Sequence, residues 1–181
     1  MDENGQCTPD DAAGRDAEGD RSRRVEAVRR AVEEYPGYER PEDRRVSDES
    51  VRAALAASLA ELLLHVESLE DHLSRNGQEE LAQRAAQAGR HAELIRDKIE
   101  MPPYSVSPFF AARRLPEETQ DRILSNDADL VEDANELRRV LSLTLSDRTD
   151  LAAFVGDLQR IIDSLTAQID SRCSLIAEFH L

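Results

Sequence analysis

The stretch "VRAALAASLAELLLHVESLEDHLSRNGQEELAQRAAQAGRHAELIRDKIE" (residues 51–100) carries two apolar stripes separated by a short polar break. In the first, Leu55, Leu59, Leu62, Val66, Leu69 and Leu73 follow spacings of 4, 3, 4, 3 and 4, a heptad seam that an α-helix presents on one face. Asn76 and Gly77 stop it. The second stripe, Leu81, Ala85, Ala88, Ala92, Ile95 and Ile99, repeats the alternation with alanines at its centre, which lets two helix axes approach more closely than leucines would. So short a break predicts an antiparallel hairpin, in which residues whose numbers total about 153 lie opposite each other. Asn76 followed by Glu79 reads as a capping box that starts the second helix.

A second pair follows. Leu115 and Pro116 with Glu117 and Glu118 make a helix start, because proline in the first turn loses no hydrogen bond and the acids suit the helix dipole. That helix is expected to run to about Leu145, burying Ile123, Leu124, Leu130, Val131, Ala134, Leu137, Val140 and Leu141. After the turn "SDRTD" (residues 146–150), a fourth helix carries Leu151, Val155, Leu158, Ile162, Leu165, Ile169, Ile176 and Phe179. Its seam is broken by Arg172, where Cys173 is expected to substitute. Each long helix spans roughly 36 to 46 Å at 1.5 Å per residue. Matched lengths predict an all-α, antiparallel four-helix bundle over residues 47–181, with hairpins at 47–100 and 116–179.

Between the hairpins lies "MPPYSVSPFFAARRL" (residues 101–115), rich in proline and aromatic residues. Fully extended it reaches about 50 Å, so it can cross the length of the bundle or turn at one end. Tyr104, Val106, Phe109 and Phe110 are costly to leave in water. They either plug the bundle or form a strip where a partner docks.

Upstream, residues 1–20 hold acids and little to bury, the composition of a disordered acidic tail. Residues 21–46 form a short basic amphipathic helix and a Pro/Gly linker. Val25, Val28, Val32 and Tyr35 share one face and stop before Pro36 and Gly37. Such a helix is too short to stand alone and must dock. Its arginines also allow a regulatory role, in which residues 21–45 bind nucleic acid or an acidic partner.

The chain has 38 acidic against 23 basic residues, a net charge of −15, and Lys98 is its only lysine. A surface of this kind suits a cell interior at molar salt, where a Debye length of about 3 Å screens self-repulsion; a GC-rich genome gives the same replacement of Lys by Arg. Net negative charge argues against a broad nucleic-acid face. Cys7 and Cys173 form no ligand pattern, and neither a signal peptide nor an apolar run of roughly 20 residues is present, so reduced thiols and a cytoplasmic, membrane-free location are expected.

Candidate chemistry is sparse. His65 and His91 are expected to face each other across the first hairpin with Glu61 one turn away, but the Glu-x-x-His pairs of carboxylate metal bundles are absent, and no metal or other cofactor is expected. The segment "RAAQAGRH" (residues 84–91) resembles the Arg-x4-6-His element of HEPN-type helical ribonucleases. The likeness covers eight residues and implies a ribonuclease in which Arg84 and His91 act on the RNA phosphate. Asp129, Glu132, Asp133 and Glu136 lack the central Gly of a calcium loop and read as a solvated face pairing with Arg122, Arg138 and Arg139. With no catalytic residue assigned, the leading expectation is a non-enzymatic intracellular interaction or assembly module. Its partner is another protein or a second copy of itself, a dimer drawing on Leu63, Leu64, Leu143 and Leu145.

Overall fold

The computed structural model describes the backbone of residues 9–142 and 150–180, and the side chains of 18–142 and 150–180. The described chain is helical and contains no strand. Its elements are α1 (Pro9–Ala31), α2 (Pro41–Arg75), α3 (Glu79–Glu100), a 3-10 turn (Pro108–Phe110), α4 (Glu117–Leu141) and α5 (Leu151–Ala177). No helix among the described residues is long and apolar enough to cross a membrane.

Two boundaries differ from the sequence expectation. Helical backbone begins at Pro9, so residues 9–20, expected as an irregular tail, lie in α1. α2 begins at Pro41, inside the stretch read as a linker, because Pro41 opens the helix and Glu42 and Asp43 occupy its first turn. Ser47 therefore lies within α2, where its hydroxyl donates to Gly37 O and accepts from Gly37 N–H, both at 2.8 Å, tying the preceding loop down. Gly37 supports that loop with a φ of +98°.

The break between α2 and α3 works differently from a capping box. Asn76 serves the end of α2: its Nδ2 donates to His72 O at 2.7 Å, while α3 starts without a side-chain cap. Gly77 takes a left-handed φ of +71°. The N–H groups of Gly77 and Gln78 then turn back onto Ser74 O and Leu73 O, a Schellman closure that only a residue tolerant of positive φ allows cheaply.

Helix α2 packs on α3 and α4 on α5, as hairpins; α3 also packs on α5, α2 on α4, and α1 along α4. Arg84 meets Gln159 and His91 meets Thr166 at the same sequence offset of 75, so α3 and α5 run parallel. With each hairpin antiparallel, α2 and α4 are parallel as well, and Arg138 reaches Ser58 across them. The linker thus leaves α3 and enters α4 at one end of the molecule, where α2 begins and α5 finishes. Since α3 and α4 make at most marginal contact, it crosses that end diagonally.

The predicted seams are buried, from Leu55 to Leu73 on α2 and from Ala85 to Ile99 on α3. Gly89 sits among the small residues of α3, and a Cβ there would stand 3.0 Å from Val66 Cγ1, which places the two helices close together at the expected register. On α4 all eight expected residues are buried, Asn126 and Asp127 with them. On α5 the seam is continuous through Arg172, only 3% exposed, whereas Cys173 lies half-buried on its flank. The expected substitution by Cys173 is therefore wrong: the arginine enters the core because anionic partners await it there.

Six of the chain's seven aromatic rings gather at the linker end. Tyr38 meets Phe109 at 5.7 Å, Phe109 meets Phe110 at 5.3 Å and Phe179 at 5.9 Å, all tilted or edge-on, and Tyr35 and Tyr104 extend the cluster. Such pairs add about 0.5 to 1.5 kcal/mol each beyond the apolar area they bury.

Candidate functional site

Beneath the aromatic cluster lies a sealed group of charges. Arg172 projects from the last turns of α5, level with the first turns of α2 and the middle of α4. Its Nε donates to Asp127 Oδ1 at 2.8 Å, one terminal nitrogen donates to Asp48 Oδ1 at 2.6 Å and to Tyr104 Oη at 2.8 Å, and the other donates to Tyr38 Oη at 2.7 Å. The phenols pass these bonds on, Tyr38 to Asp127 Oδ2 at 2.7 Å and Tyr104 to Asp48 Oδ1 at 2.9 Å; Tyr35 reaches Asp127 Oδ2 at 3.4 Å. Arg52 closes the other side of Asp48 with a 2.9 Å bond from Nε and donates to Ile99 O at 3.2 Å. All three tyrosines of the chain are in this network.

The arrangement is electrostatically self-consistent. Burial alone would lower the Arg172 guanidinium, but Tyr38, Asp127, Asp48 and Tyr104 together hold it well above its ordinary value. Burial pushes the Asp127 carboxyl up against the pull of Arg172 and Tyr38. Asp48 feels the same burial, yet Arg172 and Arg52 outweigh it and keep that carboxyl low. Burial raises all three phenols, which favours their protonated, donating form.

A second buried arginine spends its hydrogen bonds on backbone carbonyls. Arg44 donates to Tyr38 O and Phe109 O at 3.0 Å each and to Ala112 O at 2.6 Å, so one guanidinium clips the loop before α2 to the linker. Beside it, Arg45 donates to Ser105 O at 3.1 Å and lies 4.5 Å over the Phe110 ring. Ser107 adds a bond from its hydroxyl to Ile176 O at the end of α5. Backbone carbonyls that linker geometry would leave unpaired are thereby satisfied, as burial requires.

The residues singled out from the sequence fall in different places. Tyr104, Phe109 and Phe110 are buried in the end of the molecule, and Val106 alone of those four is on the surface. His91 does not face His65: its Nε2 is 3.2 Å from Thr166 Oγ1 and its Nδ1 is 3.5 Å from Asp163, both on α5, while His65 Nδ1 sits against Glu61 O on its own helix. Arg84 also turns to α5, bonding Gln159. Among the described residues no group of three His, Cys, Asp or Glu is placed to hold a metal ion. In the acidic face of α4, Glu136 pairs with Arg139 and Asp133 accepts from Gln168. Of the basic stretch, Arg21 lies among Glu39, Glu117 and Asp121, and Arg24 pairs with Asp20. Leu64 is exposed, whereas Leu143, Leu145 and Cys7 lie outside the described residues.

No protein-family model, curated protein or solved structure matches the chain.

What the buried centre can do is limited by its closure. Its donors and acceptors face one another, and only Tyr35 and Tyr38 of its described members also border a small pocket, with Arg21, Arg29 and Gln120, so the group ties α2, α4, α5, the linker and the loop before α2 together. Large apolar side chains are exposed along the linker. Val106 is 91% exposed and Met101 77%, both on or beside the pinned linker, with Val46 half-exposed nearby in α2.

Proposed function

We propose that the protein is a non-enzymatic interaction or assembly module: a four-helix antiparallel bundle, with α1 laid along it, that presents its linker end to another protein or to a second copy of itself. The observation that carries this reading is the exposure of Val106 and Met101 on a segment whose backbone is held by Arg44, Arg45 and Ser107. Large apolar side chains left in water on a rigid support lose little entropy on contact, which is the economy of a preorganised surface. Tyr104, Phe109 and Phe110 serve that surface from beneath, as its support. A cytoplasmic setting, adapted to high salt, belongs to the same reading and accounts for the acidic, lysine-poor composition.

The test is sedimentation velocity combined with cross-linking in host extract, comparing the native chain with Val106→Glu and Met101→Glu. A dimer or a specific complex that both substitutions weaken, at an unchanged melting temperature, is the expected result. A chain that stays monomeric and forms no complex sensitive to either substitution overturns the reading.

A further inference from the structure

The outer face of α2 carries a second heptad seam. Val46, Ser50, Ala53, Ala57, Ala60 and Leu64 follow spacings of 4, 3, 4, 3 and 4, on the side of the helix away from the core that Leu55, Leu59 and Leu62 enter. Val46 is 42% exposed and Leu64 68%, and the three alanines between them are exposed as well. Residues 53–60 contain no charge, in a chain of which 34% is charged. The outer faces of the neighbouring helices are built differently, with Arg90 and Asp97 exposed on α3 and Asp157 and Asp163 on α5.

This seam borders a groove. The end of α1 and the loop after it supply Ala31, Glu33 and Glu34, α2 supplies Ala53 and Ala57, and α4 supplies Arg138. The charges are separated along α2. Ser50 Oγ donates to Glu34 O at 3.2 Å, which puts the acids beside Ser50, whereas Arg138 Nη2 donates to Ser58 Oγ at 3.1 Å, which puts the base about two turns further on. Acids and base therefore flank a line drawn across α2 midway between Ala53 and Ala57.

That order selects the occupant. A second copy laid antiparallel on the seam is related to the first by a twofold axis through this line. Val46 then covers the partner's Leu64, alanine meets alanine at the axis, and Arg138 comes level with the partner's Glu33 and Glu34. Small side chains at the centre let the two helix axes approach to about 8 Å. An unrelated helix would meet the alanines equally well, but the acid–base order is one that a copy of the same groove reproduces in reverse by symmetry alone.

We propose that this face of α2 is a twofold interface through which two copies of the chain pair antiparallel. It goes beyond the linker-end reading and uses none of its residues. The seam spans about 27 Å, and one helix of that length covers less than the roughly 800 Å² per partner of a stable interface. With Glu49 and Glu61 beside it as well, the dimer is weak, in the micromolar range or above.

Sedimentation equilibrium on the full chain, from about 10 μM to about 1 mM, tests the proposal. The native chain dimerises, and Ala57→Glu at the axis raises the dissociation constant by about tenfold or more at an unchanged melting temperature. The charge order is tested by mixing. Arg138→Glu alone and Glu33→Arg/Glu34→Arg alone each set like charges against like across the axis and weaken the dimer, whereas an equimolar mixture of the two restores both pairs and associates. Contacts inside one chain do not produce that rescue. A native chain monomeric throughout, a dimer that Ala57→Glu leaves unchanged, or a mixture no more associated than its components overturns the proposal. The two readings fail separately: a dimer that Val106→Glu weakens and Ala57→Glu does not sinks the α2 interface while sparing the linker end.

Discussion

Arg172 and Asp48 are 124 residues apart in the chain and 2.6 Å apart in the fold. The bond joins the end of α5 to the start of α2, and through Asp127 it reaches the middle of α4. Charges sealed at this depth stabilise only as a set: each has lost its water, and each relies on the others to replace it.

Removing one member should therefore be severe. Arg172→Met leaves Asp48 and Asp127 buried without their shared cation and should lower stability by about 3 to 5 kcal/mol. Replacing all three at once, Arg172→Met with Asp48→Leu and Asp127→Leu, should recover much of that loss, since no unpaired charge remains. Urea unfolding at constant m-value measures both. A single variant as stable as the native chain would show that the network is idle.

The tyrosines give the same network an optical readout. All three phenols have folded-state values raised above the ordinary value of about 10. Because the folded chain keeps those protons where the unfolded chain loses them, stability is intact below about pH 10 and falls as pH rises further. Tyrosinate absorbance at 295 nm should stay flat until the helical circular dichroism collapses, then appear in one step. Asp48 works in the opposite direction: its lowered value stabilises the fold above the unfolded carboxyl value of about 4, and that contribution drains as pH falls through the folded value. Tyrosinate appearing near pH 10 with the helices intact would contradict the buried placement.

Phe109 and Val106 separate the plug from the surface. Phe109→Ser should cost about 3 to 5 kcal/mol, because a fully buried ring surrounded by Tyr38, Phe110 and Phe179 leaves a cavity no neighbour can fill. Val106→Ser should change stability by less than about 0.5 kcal/mol. Thermal melts of the two variants make the comparison, and equal melts would place Phe109 outside the core.

Gly89→Ala offers a signed test of how closely α2 and α3 approach. Helix propensity alone favours the alanine by about 1 kcal/mol. The new methyl would stand 3.0 Å from Val66 Cγ1, so we expect net destabilisation, reversed when Val66→Ala is added. A stabilised single variant would mean that Val66 can give way freely.

Most of the helical architecture was legible in the sequence because it rests on periodicity, and periodicity survives without knowledge of neighbours. The seams from Leu55 to Leu73 and from Ile123 to Leu141 needed only the chain's own spacing. The buried centre did not announce itself, because Arg172, Asp48 and Asp127 lie on different helices and each alone looks like an interruption. A signal was present nonetheless: Asp48 continues the α2 seam through Val51 to Leu55, Asp127 falls between Leu124 and Leu130, and Arg172 between Ile169 and Ile176. Opposite charges at seam positions on separate helices imply a shared interior partner. The capping of α2 by Asn76 was missed for another reason, since an Asn followed by Gly serves the end of one helix as readily as the start of the next.

The arginine that completes this centre is also the last of its members to be synthesised. Until a ribosome has added Arg172, the emerging chain holds two carboxylates destined for the interior without the cation they share, and the linker end lacks its tie to α5. The bonds that join this end to α5 can therefore form only when the chain is nearly finished, whereas the contacts of the α2–α3 hairpin are all encoded before residue 101.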